Sequence, residues 1–428
     1  MNGQYVELLT RCMSIAECVI VIACFVHVIS PNITIIDVEP EVDRGSIPLG
    51  SPVILIPGLG GSQLEASLNR TSTLHYICTK QSNWYTIWLS ITELTWPLVE
   101  CFADNLRLIY DPHTKTTRNN EGVDIRVSGF GSTDTVDYLD WFHSPLSSYF
   151  AHITKRLITT KAYLRGVNLH GAPYDFRKGP SELDVFFRNL TVLVESTYSA
   201  NSNQQVTLIA HSMGCPLTLI WLNKQSSAWK RKYIKWFIPI AGPWAGSLKS
   251  IRLIISGDNI NLYIVNPLYV RPIQRSSPST FFLFPYADEW AEDEILIQTP
   301  SANYTVKDYK RLFADVNHPN ANEIRDKEIK YYNPYKAPNV PVYAFYGNNV
   351  KTPLKFIYNS AGVNWMDKQP TIIYESGGDG TVNERSLKLI EKWKQKENCT
   401  LVELNSVEHL AIMSNPVVIN TILELISS

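Results

Sequence analysis

The sequence has almost no excess of charge of either sign. Its 428 residues include 39 Lys and Arg against 40 Asp and Glu, which gives a net charge of −1. Nucleic-acid binding usually needs a basic surface, so we expect no nucleic-acid partner. Internal repeats and low-complexity segments are also missing, whereas the hydrophobic content of 45% is ordinary for a globular protein.

Metal-binding patterns are absent as well. The sequence contains no C-x-x-C pair and no cluster of His and Cys, so we expect neither a metal nor a cofactor. Three of the seven cysteines lie near the N-terminus, which leaves Cys78, Cys101, Cys215 and Cys399. In an oxidising compartment, four cysteines allow three complete pairings, or one disulfide and two free thiols.

The apolar run Cys18–Ile29 is too short to span a bilayer comfortably. It follows Arg11 and precedes Pro31, and this pattern predicts a signal peptide over residues 1–30. An uncleaved anchor and a buried strand are the alternatives. Five N-x-Thr sequons also indicate the secretory pathway, and we expect glycosylation at Asn32, Asn69, Asn189, Asn303 and Asn398.

Short apolar strands alternate with helical segments along the chain. The predicted strands are Ser51–Pro57, Val206–Ala210, Trp236–Ala241 and Val340–Tyr346. The predicted helices are Ser144–Leu157, Leu183–Tyr198 and Pro216–Lys224. Strands that are apolar on both faces form parallel sheets covered by helices on both sides, so the predicted fold class is α/β. The stretches 71–105 and 248–340 break this alternation and are predicted to be insertions.

The sequence Ala210-His211-Ser212-Met213-Gly214 places a serine between a strand and a helix. It matches the G-x-S-x-G nucleophile elbow, with Ala in place of the first Gly. Small residues on either side let the strand and the helix pass closely while the hydroxyl stays accessible. The pattern therefore predicts Ser212 as a nucleophile, against the alternative of an ordinary serine in a turn.

A nucleophilic serine needs a base and an acid, which follow it in this chain order. Only His318 and His409 occur after Ser212, and His409 is favoured because it lies just before a C-terminal helix. Asp379 is the predicted acid because its Gly-rich turn lies between the last strands. Glu375 and Glu408 are weaker candidates. The same rule predicts the backbone N–H groups of Leu59 and Met213 as oxyanion donors.

Many further motifs resemble, in the same order, those of the lysosomal phospholipase A and lecithin–cholesterol acyltransferase family. They run from about Ile47 to the C-terminus and include PVILIPGLGGSQLEA, HYIC, TIWL, GVDIRVSGFG, GAPYDFR, AHSMG, WKRKYIKWF, GPWAGS, SGDN and GDGTVN. The resemblance implies an α/β-hydrolase fold with a mostly parallel sheet and the same triad and oxyanion donors. The sequence has no calcium-binding loop of the secreted phospholipase type, so we expect metal-independent, calcium-independent chemistry. WKRKYIKWF looks closer to the lysosomal branch. That branch has an acidic residue where this chain has Leu59, which puts an acid pH optimum in doubt here.

The resemblance also implies a domain organisation. The expected hydrolase core comprises residues 47–78, 186–250 and 340–428, and the expected membrane-binding insertion comprises residues 79–121. A cap would span residues 137–185 and 251–339, with a lid near 248–272. We expect a disulfide between Cys78 and Cys101, which bracket part of the insertion, and we expect Cys215 and Cys399 to stay unpaired.

Apolar residues recur at helical spacing between residues 83 and 100, and Pro97 ends the pattern. We expect Trp84, Trp88 and Trp96 to contact a bilayer, because Trp favours membrane interfaces and the family binds membranes here. Ordinary core packing is the alternative.

Three functions fit these patterns. The first is a phospholipase A that forms an acyl-serine at a phospholipid bilayer or lipoprotein surface and releases the acyl group to water. The second transfers the acyl group mainly to a lipid alcohol, such as a sterol or ceramide. The third is a catalytically silent lipid-binding protein, which the intact triad disfavours. The expected location is the secretory pathway, with the lysosome or the extracellular space as destination.

Overall fold

The computed structural model describes residues 50–259, 265–360, 362, 364–393 and 398–427. The predicted signal peptide at 1–30, the sequon at Asn32 and residues 260–264 of the predicted lid lie outside them. Within the described residues, no helix combines the length and apolar character that crossing a bilayer requires.

The described residues form strands, α-helices and short 3-10 helices. The strands are β1 Val53–Ile56, β2 Leu64–Asn69, β3 Gln81–Trp88, β4 Leu108–Asp111, β5 Thr116–Asn119, β6 Val123–Val127, β7 Leu169–Gly171, β8 Val206–His211, β9 Ile234–Ile240, β10 Ile297–Gln298, β11 Asn303–Tyr304, β12 Val342–Asn348, β13 Thr352–Ile357, β14 Thr371–Glu375 and β15 Cys399–Asn405. The α-helices are α1 Leu98–Leu106, α2 Asp134–Asp137, α3 Ala151–Lys161, α4 Asp184–Ala200, α5 Gly214–Lys224, α6 Ser227–Tyr233, α7 Lys249–Ile255, α8 Pro267–Ser276, α9 Pro278–Phe282, α10 Tyr309–Asp315, α11 Ala321–Ile329, α12 Glu384–Leu387 and α13 Pro416–Ser427. The 3-10 helices are Thr92–Leu94, Pro145–Ser147, Pro180–Glu182, Trp365–Asp367, Lys388–Trp393 and Ala411–Ser414.

A six-stranded sheet runs through the middle of the fold in the order β15-β12-β9-β8-β1-β7. All five pairings between its neighbouring strands are parallel. Four of its strands agree with the sequence prediction, but β7 and β15 were not predicted. Because β7 belongs to the central sheet, the assignment of residues 137–185 to the cap does not hold for residues 169–171.

The central sheet is buried on both faces because its strands carry apolar side chains in both directions. In β1, Val53 and Leu55 pack in one hydrophobic core, and Ile54 and Ile56 pack in the other. Helices α3 and α13 contribute to the first core, and α4 and α5 contribute to the second. Each fully buried side chain of this size stabilises the fold by roughly 1.5–3 kcal/mol.

The predicted membrane-binding insertion has a different secondary structure from the one expected. Its strand β3 pairs with β2, which also pairs with β6, in a three-stranded antiparallel sheet. The predicted helical pattern between residues 83 and 100 is therefore wrong: the chain is extended up to Trp88, and α1 begins only at Leu98. The helical spacing of aromatic residues is misleading here because β3 buries its C-terminal end, at Ile87 and Trp88, rather than one continuous face.

Candidate active site

Ser212 occupies the sharp turn between β8 and α5. Its φ of 52° is left-handed, a strained conformation for a residue with a side chain, and such strain concentrates at functional sites. Close packing requires glycine at position 214, where a Cβ atom would lie 2.4 Å from the carbonyl oxygen of Pro57. The turn therefore places the serine hydroxyl at the carboxyl edge of the sheet, beside the N-terminus of α5.

Three side chains form a continuous hydrogen-bonded chain at this turn. The Nε2 atom of His409 lies 2.9 Å from the Ser212 Oγ, and its Nδ1 atom lies 2.7 Å from the Asp379 Oδ2. Asp379 Oδ1 accepts hydrogen bonds from the backbone N–H groups of Thr381 and Val382, at 3.0 and 2.7 Å. Because the Asp379 carboxyl is buried and fully hydrogen-bonded, it holds the imidazole ring of His409 in one orientation.

The other candidates for base and acid make different contacts. The ring of His318 hydrogen-bonds the backbone carbonyl of Arg275 at 2.7 Å and packs edge-on against Phe281. The Glu375 carboxylate accepts a hydrogen bond of 2.6 Å from the Asn383 amide. Glu408 is exposed. The structure thus brings Asp379 and His409 to Ser212, and places these alternatives in other hydrogen-bonded or exposed positions.

The turn Pro57–Gly61 after β1, here called the oxyanion loop, packs directly against the nucleophile. A Cβ atom on Gly58 would lie 2.7 Å from the Cβ of Ser212. Among the described residues, neither the Leu59 nor the Met213 N–H donates a hydrogen bond to another protein group. Both amides are therefore available to a bound oxyanion.

Three side chains fix the oxyanion loop, a role that the sequence analysis assigned to none of them. The Trp88 indole N–H donates to the Gly60 carbonyl at 2.8 Å, and the Tyr174 hydroxyl donates to the Pro57 carbonyl at 2.9 Å. The Gly58 N–H donates to the Tyr149 hydroxyl at 2.9 Å. These partners come from distant parts of the chain, so no local pattern identified them.

Ser212 and His409 line a cavity of about 480 Å³. Many of its other lining residues are apolar, among them Leu59, Trp88, Leu139, Leu253, Leu283, Leu410 and Met413. An apolar cavity of this size, with a few polar groups at one place, suits a hydrocarbon chain with a reactive carbonyl at its end.

The three tryptophans of the predicted membrane contact differ in exposure. Trp96 is 61% exposed and Trp84 is 41% exposed, with the guanidinium of Arg126 stacked over the Trp84 ring. Trp88 is 8% exposed and packs against Phe176. The prediction that Trp88 contacts a membrane is therefore wrong, because its indole is part of the core and holds the oxyanion loop.

The cysteines and sequons have distinct environments. Cys78 and Cys101 form a disulfide, the pair predicted from the sequence. Cys215 and Cys399 form no disulfide with any described residue, and burial raises the pKa of the Cys215 thiol. The sequon asparagines inside the described ranges are all exposed, namely Asn69, Asn189, Asn303 and Asn398. Within those ranges, no group of three or more His, Cys, Asp or Glu side chains is arranged to hold a metal ion.

Sequence comparison adds to this geometry. The model of the family described as lecithin:cholesterol acyltransferase matches residues 84–333 and 321–416. The lysosomal phospholipase A and acyltransferase of Homo sapiens is 37% identical over 380 residues, which cover 88% of this chain and 90% of that protein. The chain belongs to the lecithin:cholesterol acyltransferase family. Another similar protein is the phosphatidylcholine-sterol acyltransferase of Gallus gallus, which is 36% identical over 362 residues, 84% of this chain and 86% of that one.

A solved structure shares the fold of this family member. The Tle4-Tli4 complex contains a chain that superposes with a TM-score of 0.52 at 12% identity, covering 88% of this chain and 98% of that one. At such low identity the similarity concerns the fold alone. The parallel sheet and the strand–turn–helix at Ser212 are those of an α/β-hydrolase, so the family and the fold predicted from the sequence are both confirmed.

Proposed function

We propose that the chain is a serine phospholipase A and acyltransferase, which removes a fatty acyl group from a glycerophospholipid through an acyl-Ser212 intermediate. The observation that carries this proposal is the Ser212–His409–Asp379 chain of hydrogen bonds beside an apolar cavity. Similar proteins named as lysosomal phospholipase A and acyltransferase, and as phosphatidylcholine-sterol acyltransferase, support phospholipid as the acyl donor.

In the first half-reaction, the Ser212 Oγ attacks the ester carbonyl carbon while His409 Nε2 accepts the hydroxyl proton. Asp379 stabilises the resulting imidazolium, and the N–H groups of Leu59 and Met213 donate to the oxyanion. When the tetrahedral intermediate collapses, the ester C–O bond breaks and His409 gives the proton to the departing lysophospholipid oxygen.

In the second half-reaction, an acceptor hydroxyl attacks the acyl-enzyme and gives its proton to His409. Release of the product returns that proton to Ser212. Water as acceptor yields a free fatty acid, and a lipid alcohol such as a sterol or ceramide yields a new ester. Both outcomes use the same protein groups, and they differ only in which hydroxyl reaches the acyl-serine first.

The elements around the core have proposed roles of their own. Residues 79–121 would seat the enzyme on a bilayer or lipoprotein surface through the exposed Trp84 and Trp96. Residues 251–339, together with part of 137–185, would cap the cavity, with the lid near 248–272. We place the protein in the secretory pathway, in the lysosome or outside the cell; its exposed sequons and its disulfide support this location.

A product analysis tests the proposed function. Purified protein is incubated with liposomes of acyl-labelled phosphatidylcholine, alone and with cholesterol or ceramide, and the labelled products are separated. We expect labelled fatty acid without an alcohol, and labelled ester in addition when the preferred alcohol is present. Ser212→Ala is the control and should give neither. A wild-type protein that binds the liposomes but leaves the phospholipid intact would contradict the proposal.

A further inference from the structure

The Tyr149 side chain lies between the oxyanion loop and the strand that carries the nucleophile. Its hydroxyl accepts a hydrogen bond of 2.9 Å from the Gly58 N–H and also contacts the Nδ1 atom of His211. Its ring lies so close to Gly61 that a Cβ atom there would be 2.6 Å away from it. This one side chain therefore contacts the backbone of the oxyanion loop at both Gly58 and Gly61.

The ring of His211 contacts Tyr149 on one side and the backbone of His409, the catalytic base, on the other. Its Nε2 atom lies 3.0 Å from the backbone carbonyl oxygen of His409. The His409 backbone N–H donates to the Asp379 carbonyl oxygen at 2.9 Å. His211 is also the residue directly before Ser212, so it is joined to the nucleophile through the chain and to the base through a hydrogen bond.

The directions of the hydrogen bonds follow from the two backbone groups at the ends. The His409 carbonyl can only accept, so Nε2 of His211 carries a proton and donates to it. In a neutral imidazole Nδ1 then accepts, so the Tyr149 hydroxyl donates to Nδ1 and accepts from the Gly58 N–H. Burial agrees with this assignment, because it lowers the pKa of His211 well below its ordinary value and raises the pKa of Tyr149.

We propose that Tyr149 and His211 are positioning residues that hold the oxyanion loop and the backbone of His409 in fixed relative positions around Ser212. They do so through three hydrogen bonds that run in one direction, from Gly58 through Tyr149 and His211 to His409, here called the relay. The inference rests on the proposed function, since it requires the Leu59 amide and the His409 ring to act on the same ester.

Such a connection is needed because the oxyanion loop and His409 belong to opposite ends of the chain. The side-chain contacts of the triad fix the ring of His409, and the relay adds a contact that holds the His409 backbone against the loop that presents Leu59. A displacement of about 1 Å in catalytic geometry lowers a rate by roughly 100-fold. The relay is therefore expected to affect the chemical step more than the binding of substrate.

Tyr149→Phe tests the relay, and Tyr163→Phe is a matched control. Tyr163 is also buried, and its hydroxyl donates to the backbone carbonyl of Ser51 outside the relay. On a short, water-soluble ester, we expect Tyr149→Phe to lower kcat by about 10- to 100-fold with little change in KM. Tyr163→Phe should lower Tm to a similar extent and leave kcat unchanged. A Tyr149→Phe protein with wild-type kcat, or an equal loss of kcat in Tyr163→Phe, would overturn the inference.

A double-mutant cycle with His211→Asn tests whether the two residues act as one unit. If they do, the double variant should be about as slow as the slower single variant, since one break already interrupts the relay. Losses of kcat that multiply would overturn the relay.

A measurement on the wild-type protein does not depend on the folding of any variant. Nitrogen-15 NMR of labelled histidine should show His211 as the neutral tautomer with its proton at Nε2, and a proton at Nδ1 would contradict the assigned directions. A wild-type protein that cleaves the soluble ester but no phospholipid would refute the proposed function alone, because the kinetic comparisons that test the relay would still hold.

Discussion

Single residues determine whether the candidate site can carry out acyl transfer. Ser212 supplies an accessible hydroxyl, His409 contacts it directly, and Asp379 is linked to the hydroxyl through His409. This order of contacts assigns three different roles, so substitutions at the three positions should differ in their effects. Substitutions of buried residues outside the triad serve as controls, because they show how much activity is lost when the fold is merely destabilised.

The triad substitutions should abolish turnover while leaving the fold intact. We expect Ser212→Ala and His409→Ala to lower kcat by about a millionfold, and Asp379→Asn by about 10⁴-fold. His318→Ala is the control, because its ring hydrogen-bonds Arg275 and packs on Phe281. It should lower Tm but keep kcat within about threefold of wild type, since surface or structural changes mainly alter stability. Soluble-ester kinetics with a melting curve for each variant provide the check, and a severe kinetic loss in His318→Ala would mean that the base is misassigned.

At the level of structural elements, the insertion at residues 79–121 has one side that is buried in the fold and one side that is exposed. Trp88 connects it to the oxyanion loop, and Trp96 points outwards next to α1. One short segment thus supports the architecture of the site on its buried side, and we propose that its exposed side contacts lipid.

Replacing the two tryptophans by glutamate should separate these roles. Trp96→Glu removes apolar surface from a bilayer contact, so liposome binding and liposome hydrolysis should both fall by about tenfold or more. Its Tm and its soluble-ester turnover should not change. Trp88→Glu buries a charge and breaks the bond to Gly60, so it should lower Tm and both activities together. A Trp96→Glu protein that binds liposomes normally would exclude this side of the insertion as the membrane contact.

The same insertion contains a carboxyl group that should make stability depend on pH. Burial raises the pKa of Glu93 from 4.5 to about 7, although the neighbouring Tyr85 hydroxyl opposes this. Because the pKa is higher in the folded state, the contribution of Glu93 to stability is fully present below pH 4.5 and is lost as the pH rises through 7. Glu93→Gln should therefore stabilise the protein by roughly 1–3 kcal/mol at pH 8 but hardly at pH 4.

Melting curves at the two pH values measure this effect, with Glu121→Gln as the control. Glu121 is exposed on the same insertion, so its substitution should change the melting temperature little at either pH. Equal melting temperatures of Glu93→Gln and wild type at pH 8 would mean that the Glu93 carboxylate is solvated in the folded protein.

In the chain as a whole, features could be predicted from the sequence where the interacting residues are close in sequence or follow a fixed order along the chain. The elbow was predictable because strand, turn and helix are consecutive, and the triad followed from the fixed order of serine, acid and histidine. The burial of Trp88 was not predictable, since it depends on Phe176 and on the Gly60 carbonyl, and apolar spacing is the same for a core and for a membrane contact. The roles of Tyr149 and β7 likewise depend on partners about a hundred residues away in sequence.

The disulfide makes the stability of the whole chain depend on an oxidising compartment. Cys78 and Cys101 are 23 residues apart, and closing a loop of this length stabilises a protein by about 3 kcal/mol in the chain-entropy model. A Cys78→Ser/Cys101→Ser protein, made in the same secretory host as wild type, should lose about this much free energy of unfolding. Urea unfolding at a pH where both proteins refold measures the difference.

Reducing the disulfide provides a control for the comparison of wild type with the double variant. A reductant should bring the wild-type protein down to the stability of the double variant, because both then lack the one bridge among the described residues. It should not change the double variant, whose remaining cysteines include the buried Cys215. If reduction also destabilised the double variant, a second disulfide would have to exist besides Cys78–Cys101, and the prediction of a single bridge would be wrong. An unchanged double variant would instead identify Cys78–Cys101 as the bond through which an oxidising compartment stabilises this fold.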